Sequence, residues 1–361
     1  MSFNHLVDFN DLTVQEWCEL RDVAKDIIKN PDLYSSYCRG RIIATLFYEP
    51  STRTMLSFQT AMLRLGGNVI GFDSPGNSSV SKGENLKDTI MIISNYADII
   101  AIRNPYEGAA LASSLYTSKP VINAGDGGHF HPTQTLADLF TISDKKGCLS
   151  GLTIGICGDL KHGRTVHSLL RALSLFGNNT YYLVSTLTLK TPSYITEKLR
   201  RNGSTVIEVS TLEECMDKLD ILYMTRIQKE RFSSEEQYRE QSGRYILYSE
   251  KLLNAKKDLC ILHPLPRVDE IAGEVDFDER ATYFKQAENG MYIRMALIIK
   301  MLESFKPSSP EILNYINYKS EKRCPNPKCV TNSEKYLPAL TYEVGGTRPG
   351  HMCKYCDYRI D

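Results

Sequence analysis

Short β-rich runs alternate with amphipathic helical patterns through most of this chain, and that alternation limits its fold more than any other feature. The runs are Ile42–Phe47, Ala97–Ile102, Pro120–Asn123, Leu152–Cys157, Tyr181–Val184, Thr205–Val209, Asp220–Met224 and Leu259–Leu262. Between them lie helical patterns such as Thr54–Leu65, Leu86–Ile93 and Thr165–Phe176, the last stopped by Gly177. A capping box, Thr13-Val-Gln-Glu16, opens an earlier helix with apolar positions Val14, Trp17, Leu20, Ala24, Ile27 and Ile28. Strands that alternate with helices predict parallel sheets covered by helices, an α/β class.

At 361 residues the chain exceeds the roughly 250–300 residues at which one core stops growing, so more than one domain is expected. The Gly125-Asp-Gly-Gly128 pause, followed by a helix around Thr133–Ile142, predicts the crossing between two α/β halves. We place the first half at 1–132, completed by a C-terminal helix at about 288–306, and the second at 133–287. Arg294–Phe305 reads as that last helix, Lys306-Pro-Ser-Ser-Pro310 as a hinge, 307–322 as a linker and 323–361 as a small C-terminal module.

The 43 basic and 43 acidic residues cancel, which removes any general attraction to nucleic acid or anionic membrane. Anion binding must therefore be local. No apolar run approaches the ~20 residues of a membrane span, and Met1–Asp8 has no signal-peptide pattern, so a cytoplasmic protein is expected. Cys18, Cys38, Cys148, Cys157, Cys215 and Cys260 are scattered singly and read as buried reduced thiols.

Phe47-Tyr-Glu-Pro-Ser-Thr-Arg-Thr54 lies between a strand and a helix. Pro50 favours extended backbone at Glu49, and Ser51 or Thr52 can cap the helix. Such a turn gathers free N–H groups, hydroxyls and the Arg53 guanidinium into a phosphate cradle. Taken alone it also suits an ordinary polar cap. Arg103 closes the next strand, and His131-Pro-Thr-Gln134 follows another, both at C-terminal strand ends where α/β sheets bind ligands. In the second half, Gly158-Asp-Leu-Lys-His-Gly-Arg-Thr165 invites a dinucleotide reading, but Gly155, Gly158 and Gly163 miss the required spacing. Thr225-Arg-Ile-Gln-Lys-Glu-Arg231 and His263-Pro-Leu-Pro-Arg267 each follow a strand.

Together these segments resemble the transcarbamylase family from about residue 1 to 310. Ser51-Thr-Arg-Thr54 is similar to the family's carbamoyl-phosphate signature, and Thr133 within His131-Pro-Thr-Gln134 resembles the aspartate carbamoyltransferase branch, where ornithine enzymes carry cysteine. The resemblance implies transfer of a carbamoyl group from carbamoyl phosphate to L-aspartate in pyrimidine biosynthesis, with no catalytic cofactor. Ser51, Thr52, Arg53, Thr54 and Arg103 would hold phosphate, while Thr54, Arg103 and His131 would face the carbonyl oxygen. Gln134 and the carbonyls of Pro264 and Leu265 would hold the carbamoyl amide, and Arg164 and Arg226, with Gln228, the aspartate carboxylates. The resemblance further implies that Lys82, also facing aspartate, and a serine of Ser78-Ser-Val-Ser-Lys82 enter a neighbouring subunit's site, which makes a homotrimer. We assign that serine to Ser79 rather than Ser78 or Ser81. A transcarbamylase for another amine, and a silent homologue serving as a scaffold, are the alternatives.

Cys324-Pro-Asn-Pro-Lys-Cys329 and Cys353-Lys-Tyr-Cys356 are separated by 23 residues. Four thiolates so spaced make a tetrahedral structural zinc site with no open position, one zinc per chain. The segment from Arg323 resembles the zinc domain of the aspartate carbamoyltransferase regulatory chain. The nucleotide-binding domain that precedes it there is missing, so the resemblance implies docking, with higher assembly through this module as a further option. A nucleic-acid zinc ribbon would need a basic excess with stacking aromatics, which this segment lacks.

Overall fold

The computed structural model describes residues 4–227, 234–241, 243–306, 309–315, 323–344 and 350–360. The Thr13 capping box forms in full and opens the helix Val14–Lys29. Trp17, Leu20, Ala24 and Ile27 are buried, while Val14 and Ile28 are exposed, because at about 100° per residue both lie to one side of the stripe's centre.

The chain divides into two units, Met1–Thr133 with Met291–Asp361, and Gln134–Gly290. The first contains β1 (Ile42–Phe47), β2 (Asn68–Phe72), β3 (Ile99–Asn104) and β4 (Val121–Asp126) in the order β2-β1-β3-β4. All neighbours are parallel. β1, β3 and β4 are nearly continuous buried runs, as expected of strands covered on both faces. β2 escaped the sequence reading. It is an edge strand, half exposed, preceded by Gly66-Gly67 and interrupted by Gly71, so neither a buried run nor a clean alternation marks it.

The second unit contains β5 (Thr153–Cys157), β6 (Thr180–Val184), β7 (Thr205–Val209), β8 (Ile221–Met224) and β9 (Cys260–Leu262), parallel in the order β7-β6-β5-β8-β9. Both division points fall inside helices, Pro132–Lys146 and Tyr283–Ser304. The second of these begins at Tyr283, earlier than the expected start at about 288. Within it Asn289 is fully buried, with its Nδ2 donating to Thr141 Oγ1 at 3.1 Å.

Two antiparallel strands, β10 (Thr341–Val344) and β11 (Gly350–Cys353), belong to the C-terminal module. This module shares a core with the first unit: Val330, Leu337, Leu340 and Tyr355 pack with Leu86, Ile90, Ala109, Ala112 and Leu115. Backbone pairing adds Glu107 N–H to Lys328 O at 2.8 Å and Val330 N–H to Glu107 O at 2.9 Å. Gly108, at φ +85, lies so close that a Cβ there would sit 2.5 Å from the Cβ and carbonyl oxygen of Tyr355. Of the joining stretch, Glu311–Tyr315 forms a 3-10 turn whose Ile312 N–H bonds Leu115 O at 3.0 Å. Residues 307–308 of the expected hinge and 316–322 of the linker lie outside the described residues.

All the scattered cysteines are free thiols, and Cys38, Cys157, Cys215 and Cys260 are buried. Cys18 is only half-buried and Cys148 is exposed, contrary to expectation, since Cys148 follows Gly147 in the turn that ends the helix Pro132–Lys146. Among the described residues no helix is long and apolar enough to cross a membrane.

One buried carboxylate ties the second unit together. Asp138 Oδ1 accepts from Gln134 Nε2 at 2.7 Å and Gln286 Nε2 at 2.6 Å, and Oδ2 accepts from Tyr223 O–H at 3.1 Å. Burial first, then the Asp138 charge, pushes the Tyr223 phenol well up, so it stays a donor. Asp138→Ala leaves these buried donors unmet and is expected to destabilise the second unit by about 3 kcal/mol. A melting curve within a degree of the parent's would contradict the hub.

Candidate active site and metal centre

In the first unit the residues expected to meet anions come from the C-terminal ends of β1, β3 and β4, neighbours in the sheet. The strand order reverses between β1 and β3, and such a switch point opens a crevice at the carboxyl ends. The helix Thr52–Arg64 starts just beyond β1, and its N-cap Ser51 makes no side-chain capping bond, contrary to the capping expected of Ser51 or Thr52. Pro50 draws the chain into the turn while the first helical N–H groups keep their capacity for an anion. Thr54 is buried and Arg53 exposed at its base, with partial burial pushing the Arg53 guanidinium down.

Arg103 is in register with Phe47, and Tyr48 N–H donates to its carbonyl at 2.8 Å, so strand pairing places it beside the Ser51–Thr54 turn. Its side chain reaches Glu49 Oε1 at 2.7 Å, Ala124 O at 3.3 Å and His131 Nε2 at 3.4 Å. Arg103 and His131 are thus brought together. Gly125, at φ +119, permits this, because a Cβ there would lie 2.9 Å from Arg103 Nη1 and 3.4 Å from the His131 ring. Glu49 was missed as a partner; an acid two residues past a strand end and before Pro50 was the only sign.

The β4 loop is organised by Asp126, which is almost fully buried. Oδ1 accepts from Phe130 N–H at 2.9 Å and Asn123 Nδ2 at 3.1 Å, and Oδ2 from Gly108 N–H at 2.8 Å. His129 sits between Asp126 Oδ2 at 3.2 Å and Asp357 Oδ2 at 3.3 Å. Burial alone would lower its pKa, but the two carboxylates outweigh it and raise the imidazole to about 10. The stabilisation is therefore complete below the ordinary histidine value and lost as pH rises through about 10.

Ser79 and Lys82 lie on an exposed stretch with two 3-10 turns, Pro75–Asn77 and Ser79–Lys82. In the second unit, Arg164 opens the helix Arg164–Leu173 after β5, Arg226 stands two residues past β8, and Pro264 and Leu265 follow β9. β5, β8 and β9 are neighbours, again beside the reversal of strand order. Leu265 has φ +54, a conformation a leucine keeps only when its surroundings hold it. His263 does so, accepting Leu265 N–H at Nδ1 (2.8 Å) and reaching Glu270 Oε1 from Nε2 (2.6 Å). Burial opposes ionisation of Glu270, yet the His263 bond and charge hold its carboxyl below the usual value. Gln134 is half-buried on Asp138. Gln228 lies outside the described residues.

Cys324, Cys329, Cys353 and Cys356 are all buried, with their sulfurs within 4.8 Å of one another. Cys324 and Cys356 Sγ are 3.5 Å apart, and Cys329 and Cys353 Sγ 3.7 Å. Four ligands at ~2.3 Å from a tetrahedral zinc would be ~3.8 Å apart, so the cluster fits one structural Zn2+. Asn326 Nδ2 lies 3.5 Å from Cys356 Sγ and Thr331 Oγ1 3.2 Å from Cys329 Sγ, outer contacts that steady the thiolates. Chelation, or Cys353→Ser with Cys356→Ser, is expected to release about one zinc per chain. The melting temperature should fall with it; metal analysis finding no zinc in the parent would refute the centre.

Comparison with known proteins places this geometry. Residues 4–144 match the aspartate/ornithine carbamoyltransferase carbamoyl-P binding domain, and 150–301 the Asp/Orn binding domain of the same family. Residues 322–361 match the metal binding domain of the aspartate carbamoyltransferase regulatory chain. The chain is 58% identical over 299 residues to an aspartate carbamoyltransferase catalytic subunit of Clostridium botulinum, covering 82% of this chain and 97% of that one. The catalytic subunit of M. jannaschii aspartate transcarbamoylase superposes with a TM-score of 0.78 at 47% identity, covering 83% and 98% of the two chains. Aspartate transcarbamoylase from Trypanosoma cruzi, in complex with N-(phosphonacetyl)-L-aspartic acid, gives 0.77 at 36% identity, covering 82% and 94%. With two α/β units that carry arginines and a histidine at the ends of their central strands, the chain belongs to the aspartate/ornithine carbamoyltransferase family and bears a regulatory-chain metal binding domain at its C-terminus.

Proposed function

We propose that this chain is an aspartate carbamoyltransferase in which Ser51–Thr54, Arg103 and His131 serve carbamoyl phosphate and Arg164 and Arg226 serve L-aspartate. The observation that carries the reading is the Arg103–His131 pair, 3.4 Å apart beside the Gly125 backbone. Arg103 neutralises phosphate charge while His131 and Thr54 face the carbonyl oxygen. The aspartate amine attacks the carbamoyl carbon, a C–N bond forms, and the C–O bond to phosphate breaks. The amine proton passes to the departing phosphate, so orientation and charge stabilisation suffice without a protein nucleophile. Glu49 holds Arg103 until the substrate phosphate competes for it.

Gln134, anchored by Asp138, and the Pro264 and Leu265 carbonyls, steadied by His263 and Glu270, receive the carbamoyl amide. Gln228 is assigned beside Arg226 by the family's pattern alone. The product is N-carbamoyl-L-aspartate, a pyrimidine precursor. A colorimetric assay of the purified chain tests the activity directly. His131→Ala is expected to lower kcat on the order of a hundredfold with little change in aspartate KM, whereas Arg226→Ala raises that KM. The opposite pattern would overturn the assignment of the two halves.

The site is completed by a neighbouring subunit in a homotrimer. Ser78 Oγ and Ser81 Oγ are spent on the carbonyls of Pro75 and Ser78, which leaves Ser79, exposed beside Lys82, as the serine to reach across. Lys82→Ala and Arg53→Ala chains are each expected to be nearly inactive, and hybrids of the two to regain activity. Hybrids as inactive as their parents would rule out sharing through Lys82.

A further inference from the structure

The family resemblance by itself implies only a docking role for the metal module. The structure puts one of its carboxylates in direct contact with the loop that carries His131. Asp357 directly follows the zinc ligand Cys356 and has φ +54, with its N–H donating to Cys353 O at 3.0 Å. The turn that closes on the metal therefore sets the direction of this side chain. Oδ1 accepts from Tyr342 O–H at 2.8 Å within the module, and Oδ2 meets His129 Nε2 at 3.3 Å. The other nitrogen of His129 meets Asp126 Oδ2 at 3.2 Å, and Asp126 also fixes Gly108 and Phe130 N–H. Phe130 immediately precedes His131, whose ring is 3.4 Å from Arg103.

His129 lies between two carboxylates, one from each side of the contact, and only 11% of its side chain is exposed. A long surface bond would be worth little; this one is half-buried, with 33% of the Asp357 side chain exposed, and it ends on a side chain two residues before His131.

We propose that Asp357 and His129 are positioning residues for carbamoyl transfer: the metal module clamps the β4 loop and so fixes His131 against the reacting carbonyl oxygen. The proposal rests on the transferase reading above. Misplacing a group by about 1 Å can cost up to a hundredfold in rate, so a loosened loop shows in kcat more than in aspartate KM. A contact that merely glued the module down would show in melting temperature and zinc retention instead.

The test uses the full zinc-loaded chain. Asp357→Gly removes the carboxylate without straining a left-handed backbone. It is expected to lower kcat about tenfold, leave aspartate KM within about twofold and keep its zinc. Asp357→Asn, whose amide oxygen still accepts from Nε2–H, should recover most of the loss. Tyr342→Phe breaks the same carboxylate's bond inside the module and should leave kcat unchanged. His129→Asn sits outside the metal fold, serves if Asp357→Gly loses zinc, and should lower kcat similarly; adding Asp357→Gly to it should cost nothing further. Parental kcat in zinc-replete Asp357→Gly, or in His129→Asn, would overturn the proposal. So would a loss in Tyr342→Phe equal to that of Asp357→Gly. An unsubstituted chain that makes no carbamoyl-aspartate would refute the transferase reading, whereas an active parent with an unaltered Asp357→Gly would refute the clamp alone.

Discussion

Parallel strand order is the constraint on which the rest depends. In each unit the order reverses once, between β1 and β3 and between β5 and β8. At a reversal, the crossovers leave on opposite faces and the C-terminal strand ends stay uncovered. Loops starting there emerge with their next helix pointing its N-terminus back, so N–H groups and arginines converge without any excess of positive charge in the chain as a whole. That is how a protein with 43 basic and 43 acidic residues can handle two anions.

The central strands were legible because burial on both faces writes them as continuous apolar runs, and their parallel direction followed from the helices between them. The edge strand Asn68–Phe72 was not, since half-exposed glycine-containing backbone carries little pattern. The early start of the helix Tyr283–Ser304 was not legible because the pairs in its first turns are tertiary: Gln286 bonds Asp138 and the Asn289 amide bonds Thr141, both far away in sequence. Residues proposed to act on ligands were singled out by type and place, at strand ends. Those that act on other residues, namely Glu49, Asp126, His129, Asp138 and Glu270, were not. Each is a carboxylate or imidazole whose meaning is its partner, and whether the partner is seven residues away, as His263 is from Glu270, or far along the chain, as Asp357 is from His129, no periodicity marks the pair.

The zinc ligands were the easiest site to read, because metal coordination demands a fixed residue type at close spacing. Their surroundings were the hardest. The sequence suggests a module on a linker, yet Tyr355 and Leu340 fill the same core as Leu86 and Ala109. Glu334 Oε1 accepts from Leu86 N–H at 3.3 Å and Tyr336 O–H from Lys87 N–H at 2.8 Å, occupying free donors at the start of the helix Leu86–Tyr96. That helix begins four residues after Lys82, so the module touches the root of the loop assigned to the shared site.

The segment between β3 and β4 shows why this contact is structural as well as positional. Its helix, Ala109–Ser114, has six residues, a glycine at the N-cap and no side-chain cap. Isolated helices shorter than ~12–15 residues are marginal in water. Here Ala109, Ala110 and Ala112 are buried in the core that Tyr355 and Val330 complete. Small side chains let the module's backbone approach, as the 2.5 Å clearance at Gly108 requires. Packing thus supplies what propensity does not. The same stretch carries Glu107, bonded to Asn326 Nδ2 at 2.7 Å, and Gly108, bonded to Asp126, so metal turn, short helix and β4 loop form one connected block.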